Sequence, residues 1–283
     1  MNLSSVALDG ILGAFLGLLI GSFLNVVIHR LPRMLEQRWA RECADLQGQP
    51  PPVAEALSLW RPRSRCPHCG HAIAWHENIP LLSYLWQRGR CTACARRISL
   101  RYPLVELTCA ALFAVCIAQS GWTPVGLAWS GLCATLLVLG CIDWDTTLLP
   151  DDLTLPLLWA GLIASALQWT GVPLSSAVWG AVAGYLSLWL IFWAYKLLTG
   201  KEGMGYGDFK LFAALGAWLG PSALVAVILM ASTTGAVVGL VLKAKKQLRE
   251  GGYVPFGPFL ACAGVLTVLV GPARILWLIG LSA

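Results

Sequence analysis

The chain has 283 residues, 57% hydrophobic and 12% charged, with a formal net charge of +6. Soluble globular proteins carry about 25% charged residues. Half that share, with a mean hydropathy of +0.69, excludes an ordinary soluble enzyme and places the chain in a membrane, with the lipid bilayer as a partner and no nucleic acid expected.

The N-terminus, MNLSSVALDG, has no basic region and carries Asp9. The apolar run that follows ends at His29-Arg30 without a small-residue cleavage signature, so it predicts a retained helix rather than a signal peptide. Runs of about 17–25 apolar residues can cross a bilayer. Eight candidates follow one another: 9–28, 104–120, 124–142, 153–170, 174–198, 209–220, 222–242 and 257–281. The sixth is short, and Gly271-Pro272 breaks the last. The expected fold is an all-α polytopic membrane protein of about eight transmembrane helices with a small cytoplasmic zinc-ribbon-like domain. Fourteen tryptophans suit interfacial belts and core packing equally.

Residues 30–103 differ from the rest. They hold twelve arginines against five acids, a formal +7. The positive-inside rule makes this segment cytoplasmic. Alternation of the spans then puts Lys196, Lys201, Lys210, Lys243, Lys245, Lys246 and Arg249 at inside ends and leaves the outside loops without Lys or Arg. Within the segment, residues 43–65, with Pro50-Pro51-Pro52, read as an irregular linker.

Of ten cysteines, four form two CxxC pairs, Cys66/Cys69 and Cys91/Cys94, with 21 residues between them. Two such knuckles about 15–20 residues apart read as a four-cysteine zinc site. Two thiolates in one tight turn share a tetrahedral ion and a second turn completes the shell. A polar insert with little core of its own can take its folding energy from the metal, so the zinc is expected to be structural. The competing reading, a pair of redox-active CxxC motifs, is disfavoured by a cytosolic location. Five of the other six cysteines lie in apolar stretches, where a lone cysteine is usually a small hydrophobe.

The chain has 14 acids, and six sit on two inside loops: Asp143, Asp145, Asp151 and Asp152 on one, Glu202 and Asp208 on the other. Acids at a bilayer edge are costly and point to function by default. Asp151, Asp152 and Glu202 suit helix starts as solvated caps. Asp143 directly follows an apolar helix. Asp208 follows glycines at 203, 205 and 207, which permit a sharp bend or a close approach, and a helix starting there would hold the carboxylate in a field that favours anions. Two carboxylates brought to one site share a proton. Such a dyad can activate water with one member and protonate a leaving amine with the other. Ion pairs, caps and proton relays can mimic that pattern.

Several segments resemble one family. Gly205-Tyr206-Gly207-Asp208-Phe209-Lys210 is similar to the GxGDxK motif of prepilin peptidases, the type IV leader peptidases. Asp143, followed seven residues later by Pro150-Asp151, resembles the first aspartate motif. Residues 21–32, GSFLNVVIHRLP, resemble the N-terminal signature, and residues 77–85, ENIPLLSYL, resemble a segment of the cysteine-containing loop. The resemblance implies a bifunctional enzyme of the bacterial inner membrane. Its substrates would be type IV prepilins and type II secretion pseudopilins. It would remove their basic leader after a glycine at the cytoplasmic face, then N-methylate the new N-terminus from S-adenosylmethionine. It implies Asp143 and Asp208 as the catalytic pair, Asp143 being preferred to Asp145 for its distance to Pro150. The division that follows is a first transmembrane helix (1–29), a cytoplasmic zinc-binding domain (30–103) and a transmembrane protease core (104–283).

With no GxGxxG present, a Rossmann-type cofactor fold is absent. For the methyl donor the resemblance points to the cytoplasmic loop, with Gly89 and Glu77 as candidates. Their plain alternatives are a zinc-knuckle turn and an ordinary surface acid. Lys210 would either steady the dyad or meet lipid phosphate. The sequence leaves the oligomeric state open. The competing functions are a proton-coupled transporter with a regulatory zinc ribbon, a membrane thiol oxidoreductase and a non-enzymatic scaffold of a secretion machine.

Overall fold

A computed structural model describes residues 3–50, 57–247, 253–278 and 280. Pro51, Pro52 and Arg249 lie outside the described residues. The chain divides into two compact units, Met1–Gly121 and Trp122–Ala283. Among the described residues the regular structure is helical, with only two isolated bridges, Arg65 to Ala72 and Arg90 to Arg97.

In the first unit α1 spans Leu3–Leu46, a short 3₁₀ turn spans Trp75–Asn78, α2 spans Leu82–Trp86 and α3 spans Arg101–Ser120. The first helix is longer than its apolar run. Past His29 the sequence is rich in Leu, Met, Glu, Gln, Arg and Ala, good helix formers, and Ile28, Leu31 and Leu35 are buried at helical spacing. The helix therefore continues as an amphipathic rod, and residues 43–46, expected in the linker, are its last turn. Arg30 is buried and donates to the Ser58 and Leu59 carbonyls at 2.9 and 3.4 Å, tying the returning chain to the rod. Helices α1 and α3 pack through glycine. A methyl added at Gly17 would lie 2.7 Å from the Ala110 Cα, and one at Gly21 2.8 Å from the Glu106 Cα. Small residues at a four-residue interval let membrane helices touch backbone to backbone.

The second unit holds α4 (Pro124–Thr146), α5 (Asp151–Ala166), α6 (Leu174–Thr199), α7 (Tyr206–Leu219), α8 (Pro221–Ala244), α9 (Gly257–Val270) and α10 (Pro272–Leu278). Helix α7 is the central one. Residues 208, 209 and 211–218 are all buried, the pattern of a helix surrounded on every side. The glycine contact recurs between α6 and α7, where a methyl at Gly180 would lie 2.2 Å from the Gly216 carbonyl oxygen.

Each of the eight expected spans coincides with helix, and the last is broken at Gly271-Pro272 into α9 and α10. Among the described residues five helices, α1, α3, α4, α6 and α8, are long and apolar enough to cross a membrane. With several such helices, the chain is a multi-pass membrane protein. The expectation of about eight full-length spans needs one qualification: α5, α7 and α9 have 16, 14 and 14 residues. At about 1.5 Å per residue, 14 residues reach ~21 Å, less than the ~30 Å hydrocarbon thickness.

Candidate active site and metal centre

Asp143 lies in the last turn of α4. That helix ends when Thr147 turns left-handed (φ 57°) and returns its N–H to the Asp143 carbonyl at 2.9 Å. Only Thr147, Leu148, Leu149 and Pro150 separate α4 from the start of α5. Asp208 is the third residue of α7, at the positive end of the central helix dipole, and its carboxylate interacts with the backbone N–H of Gly205.

The two acids are brought together. They feel each other's charge, and both are buried, at 4% and 6% exposure. Among the described residues Asp208 Oδ1 has no hydrogen-bond partner, an unusual state for a buried carboxylate oxygen. Asp145 projects from an exposed part of the same last turn of α4.

Leu149 packs between the two segments, and two glycines make room for it and for Asp143. A methyl at Gly207 would lie 2.6 Å from Leu149 Cβ, so this glycine serves a close approach. A methyl at Gly257 would lie 2.6 Å from Asp143 Oδ2 and 3.0 Å from Leu149 Cδ1. Gly257 opens α9, which sets Asp143 against a second helix N-terminus. Sequence reasoning missed Gly257, although a Gly-Pro pair at a helix start marks a place where a backbone can come close.

The other acids separate from the pair. Asp151, read as a solvated cap, opens α5 and accepts Lys210 Nζ on both oxygens at 2.6 and 2.7 Å. Lys210, read as serving either the dyad or lipid, therefore pairs with Asp151. Glu202 pairs with Lys196 at 2.7 Å, and Asp152 is exposed beside Asp151.

In the first unit the Sγ atoms of Cys66, Cys69, Cys91 and Cys94 all lie within 4.8 Å of one another, with Cys66–Cys94 and Cys69–Cys91 both at 3.9 Å. Zinc–sulfur bonds of about 2.3 Å in a tetrahedron require sulfur–sulfur edges of about 3.8 Å, so the donor set fits the ion. The two knuckles repeat one geometry. Cys66 N–H bonds to the His71 carbonyl and Cys91 N–H to the Arg96 carbonyl, each at 2.9 Å, and Gly70 and Ala95 follow in left-handed conformation. Backbone N–H groups of His68 and Cys69 lower the Cys66 thiol to about 6, while burial and the neighbouring cysteine sulfurs push Cys69 up, so the first thiolate of the cluster forms at Cys66.

Glu77 is not the ordinary surface acid of the simpler reading. Its side chain is 9% exposed, accepts the Thr92 hydroxyl, and accepts the Ala74 N–H at 2.7 Å and His71 Nε2 at 3.1 Å. The Thr92 and Ala74 donors hold its carboxyl down to about 2. Gly89 turns with φ 66°, and a methyl there would lie 2.8 Å from Tyr84 Oη. Glu106 in α3, unremarked by sequence reasoning beyond its place in an apolar run, is buried and accepts the Leu81 N–H at 2.9 Å.

Residues 15–120 match the Bacterial Peptidase A24 N-terminal domain, and residues 130–240 match the Type IV leader peptidase family. The chain is 52% identical over 259 residues to the "Prepilin leader peptidase/N-methyltransferase" of Burkholderia pseudomallei (strain 1026b), covering 90% of this chain and 84% of that protein. It is 52% identical to the protein of that name from Pseudomonas putida, covering 92% and 90%, and 49% identical to that of Pseudomonas aeruginosa, covering 90% and 88%. No solved structure matches the chain. Nothing in these relationships supports a transporter. With both halves matched and relatives aligned along nine-tenths of its length, the chain belongs to the type IV leader peptidase family.

Proposed function

We propose that this chain is a prepilin leader peptidase and N-methyltransferase, with Asp143 and Asp208 as the proteolytic pair. The observation that carries the proteolytic half is the meeting of two buried carboxylates, from the end of α4 and the start of α7, in one electrostatic site. The names of the relatives carry the methyltransferase half.

Two like charges in one buried site cannot both persist, so the pair holds one proton between them. The ionised member takes a proton from water as its oxygen attacks the scissile carbonyl, and the protonated member donates to the carbonyl oxygen. Collapse of the tetrahedral gem-diol expels the amine, which receives the proton taken from water, while one gem-diol hydroxyl returns its proton to the aspartate that had donated and the acid product is formed. The work needs neither a metal nor a covalent enzyme intermediate.

The charge pattern sets the orientation. Residues 30–103, with twelve arginines, stay in the cytoplasm, and both aspartates lie at helix ends on that side of the inner membrane. A basic leader held in the cytoplasm and an apolar pilin helix held in the bilayer place the scissile bond at this interface. Type IV prepilins and type II secretion pseudopilins have that design.

Cys66, Cys69, Cys91 and Cys94 would hold a structural zinc ion that fixes the cytoplasmic loop. S-adenosylmethionine supplies an electrophilic methyl group for the new N-terminus. Gly89 serves that half indirectly, since only a residue without a side chain leaves room for the Tyr84 hydroxyl.

The test is mass spectrometry of a prepilin incubated with the purified chain and S-adenosylmethionine. The reading requires a product that has lost its leader and gained one methyl on its new N-terminus. An intact prepilin rejects the reading, and a cleaved, unmethylated product restricts it to proteolysis.

A further inference from the structure

The first unit joins two apolar helices by a polar loop, yet part of that loop stands level with the apolar runs. Helices α1 and α3 lie antiparallel in a defined register. Asn25 Nδ2 donates to the Tyr102 carbonyl at 3.1 Å, and a methyl at Gly21 would lie 2.8 Å from the Glu106 Cα. The Glu106 carboxylate in turn accepts the Leu81 N–H at 2.9 Å, where α2 begins. Gly21 is eight residues before His29, which ends the apolar run of α1, and eight residues of helix rise ~12 Å. A glutamate side chain is shorter than that, so α2 starts on the membrane side of His29. At Gly89, whose carbonyl accepts the Ile98 N–H at 2.7 Å, the chain is back beyond the first residue of α3.

We propose that α2 is a re-entrant element seated among the phospholipids of the leaflet on the loop's side, and that Glu106 is buried in α3 to hold it there. Leu82, Leu85 and Trp86 are exposed at 63%, 71% and 88%, and intervals of three and four put them on one helical face. Leu104 and Leu107 bracket Glu106 on α3 and are exposed as well. Water would meet these side chains as a bare apolar patch, whereas acyl chains would cover them. Trp60, from another part of the loop, stacks on Phe23 of α1 with ring centroids 5.4 Å apart, again on the membrane side of His29. An indole suits that boundary, being half apolar and half polar. Arg88 and Arg90 follow α2 and are exposed, the place for cations that meet lipid phosphate.

The same placement accounts for an acid within an apolar run. Backbone that is not helical at membrane depth must have its polar groups satisfied by protein. Leu81 turns with φ 56° ahead of α2, and its N–H is met by the Glu106 carboxylate. The Leu82 N–H bonds to the Pro80 carbonyl at 2.6 Å and the Ser83 N–H to the Ile79 carbonyl at 3.0 Å. The turn that enters α2 is thus closed on itself and on α3. A loop surrounded by water would need no buried carboxylate for that purpose.

The seating is independent of the chemistry assigned to the aspartates and to the methyl donor. It divides the cytoplasmic segment by depth: the far end of α1 stands in water, while α2 and Trp60 stand in the leaflet.

The decisive experiment places the unaltered full chain in nanodiscs of phosphatidylethanolamine and phosphatidylglycerol, exposes it to hydroxyl radicals and reads oxidation by peptide mass spectrometry. Trp39, on the rod ten residues past His29, is 45% exposed and Trp86 is 88% exposed, so exposure alone would make Trp86 the faster to oxidise. Seating in lipid reverses the order, and Trp86 should oxidise at least about ten-fold more slowly than Trp39. Oxidation of Trp86 as fast as Trp39, or faster, overturns the proposal. A photo-activated crosslinker in place of Leu85, with zinc content reporting a folded loop, then identifies what covers the face. Adducts with phospholipid support the proposal, and adducts with protein alone, whether a second copy or the chain itself, overturn it. Glu106→Leu should lower the phospholipid adduct at position 85 several-fold, and Glu106→Gln, which keeps an acceptor oxygen, should restore it. An unchanged yield in Glu106→Leu overturns the holding role of Glu106.

Discussion

Lys210 Nζ sits between the two carboxylate oxygens of Asp151, at 2.6 and 2.7 Å, and so clasps the start of α7 to the start of α5. This commits the only lysine of the GxGDFK segment to Asp151 and not to the buried Asp208 two positions earlier.

Both partners are partly exposed, with side-chain values of 28% and 54%, so the pair should contribute little to stability. A double-mutant cycle with Lys210→Gln and Asp151→Asn is expected to give a coupling below about 1 kcal/mol, weakening in high salt. Thermal unfolding in detergent measures it. A coupling several times larger would mean that the pair is held in a drier site than its exposure implies.

Gly257, at the start of α9, stands against the Asp143 carboxylate. Gly257→Ala would set a methyl group 2.6 Å from Asp143 Oδ2, and the carboxylate must move. A displacement near 1 Å costs on the order of 100-fold in rate. We expect that loss in prepilin cleavage, with zinc content unaltered. A fully active alanine variant would show that the Asp143 side chain is not held to one position.

The contact of α6 with α7 should tolerate no side chain. At Gly180 the obstructing atom is the Gly216 carbonyl oxygen, 2.2 Å away, and the reverse substitution meets the Gly180 carbonyl oxygen at 2.1 Å. Backbone cannot swing aside as a side chain can. Gly180→Ala should therefore destabilise by about 3 kcal/mol, the upper end of the usual overpacking cost. Unfolding midpoints measure this, and a neutral result would place the helices farther apart.

Glu77 clasps three parts of the metal-binding loop: Ala74, His71 near Cys69, and Thr92 beside Cys91. Outer partners of metal ligands are worth about 10–100-fold in affinity. Glu77→Gln should weaken zinc by that order in competition with a chelator at neutral pH. The carboxyl, held down to about 2, contributes in full above its ordinary value of 4.5 and loses its contribution only as pH falls toward 2. A neutral-pH comparison therefore reads the contact and not a titration. Unchanged zinc affinity would make the clasp incidental.

Much of the candidate site was legible because charge is scarce. In a chain with 14 acids, Asp143 and Asp208 stood out at the ends of apolar runs, and the four cysteines announced themselves by spacing. What sequence hid came from the third dimension. Gly257 is more than a hundred residues from Asp143, and no local pattern links them. The rod-like end of α1 escaped notice because hydropathy marks where a helix leaves the membrane and says nothing of where it stops. Glu77 looked like a surface acid because its partners, a backbone N–H, a hydroxyl and an imidazole, come from separate parts of the loop and form no local pattern. The shortness of α5, α7 and α9 was partly foretold: the α7 run was short in the sequence as well and Gly271-Pro272 marked the end of α9, while α5 stops before its apolar run does.

The most direct test measures prepilin cleavage by Asp143→Asn, Asp208→Asn and the double variant, each checked for full zinc content. Residues acting as one unit lose their effect together. Each single variant should therefore lose activity by at least about 10⁴-fold, and the double variant should be no worse. Cleavage at the parent rate by either single variant would contradict the account, because the remaining carboxylate would then be doing the work alone.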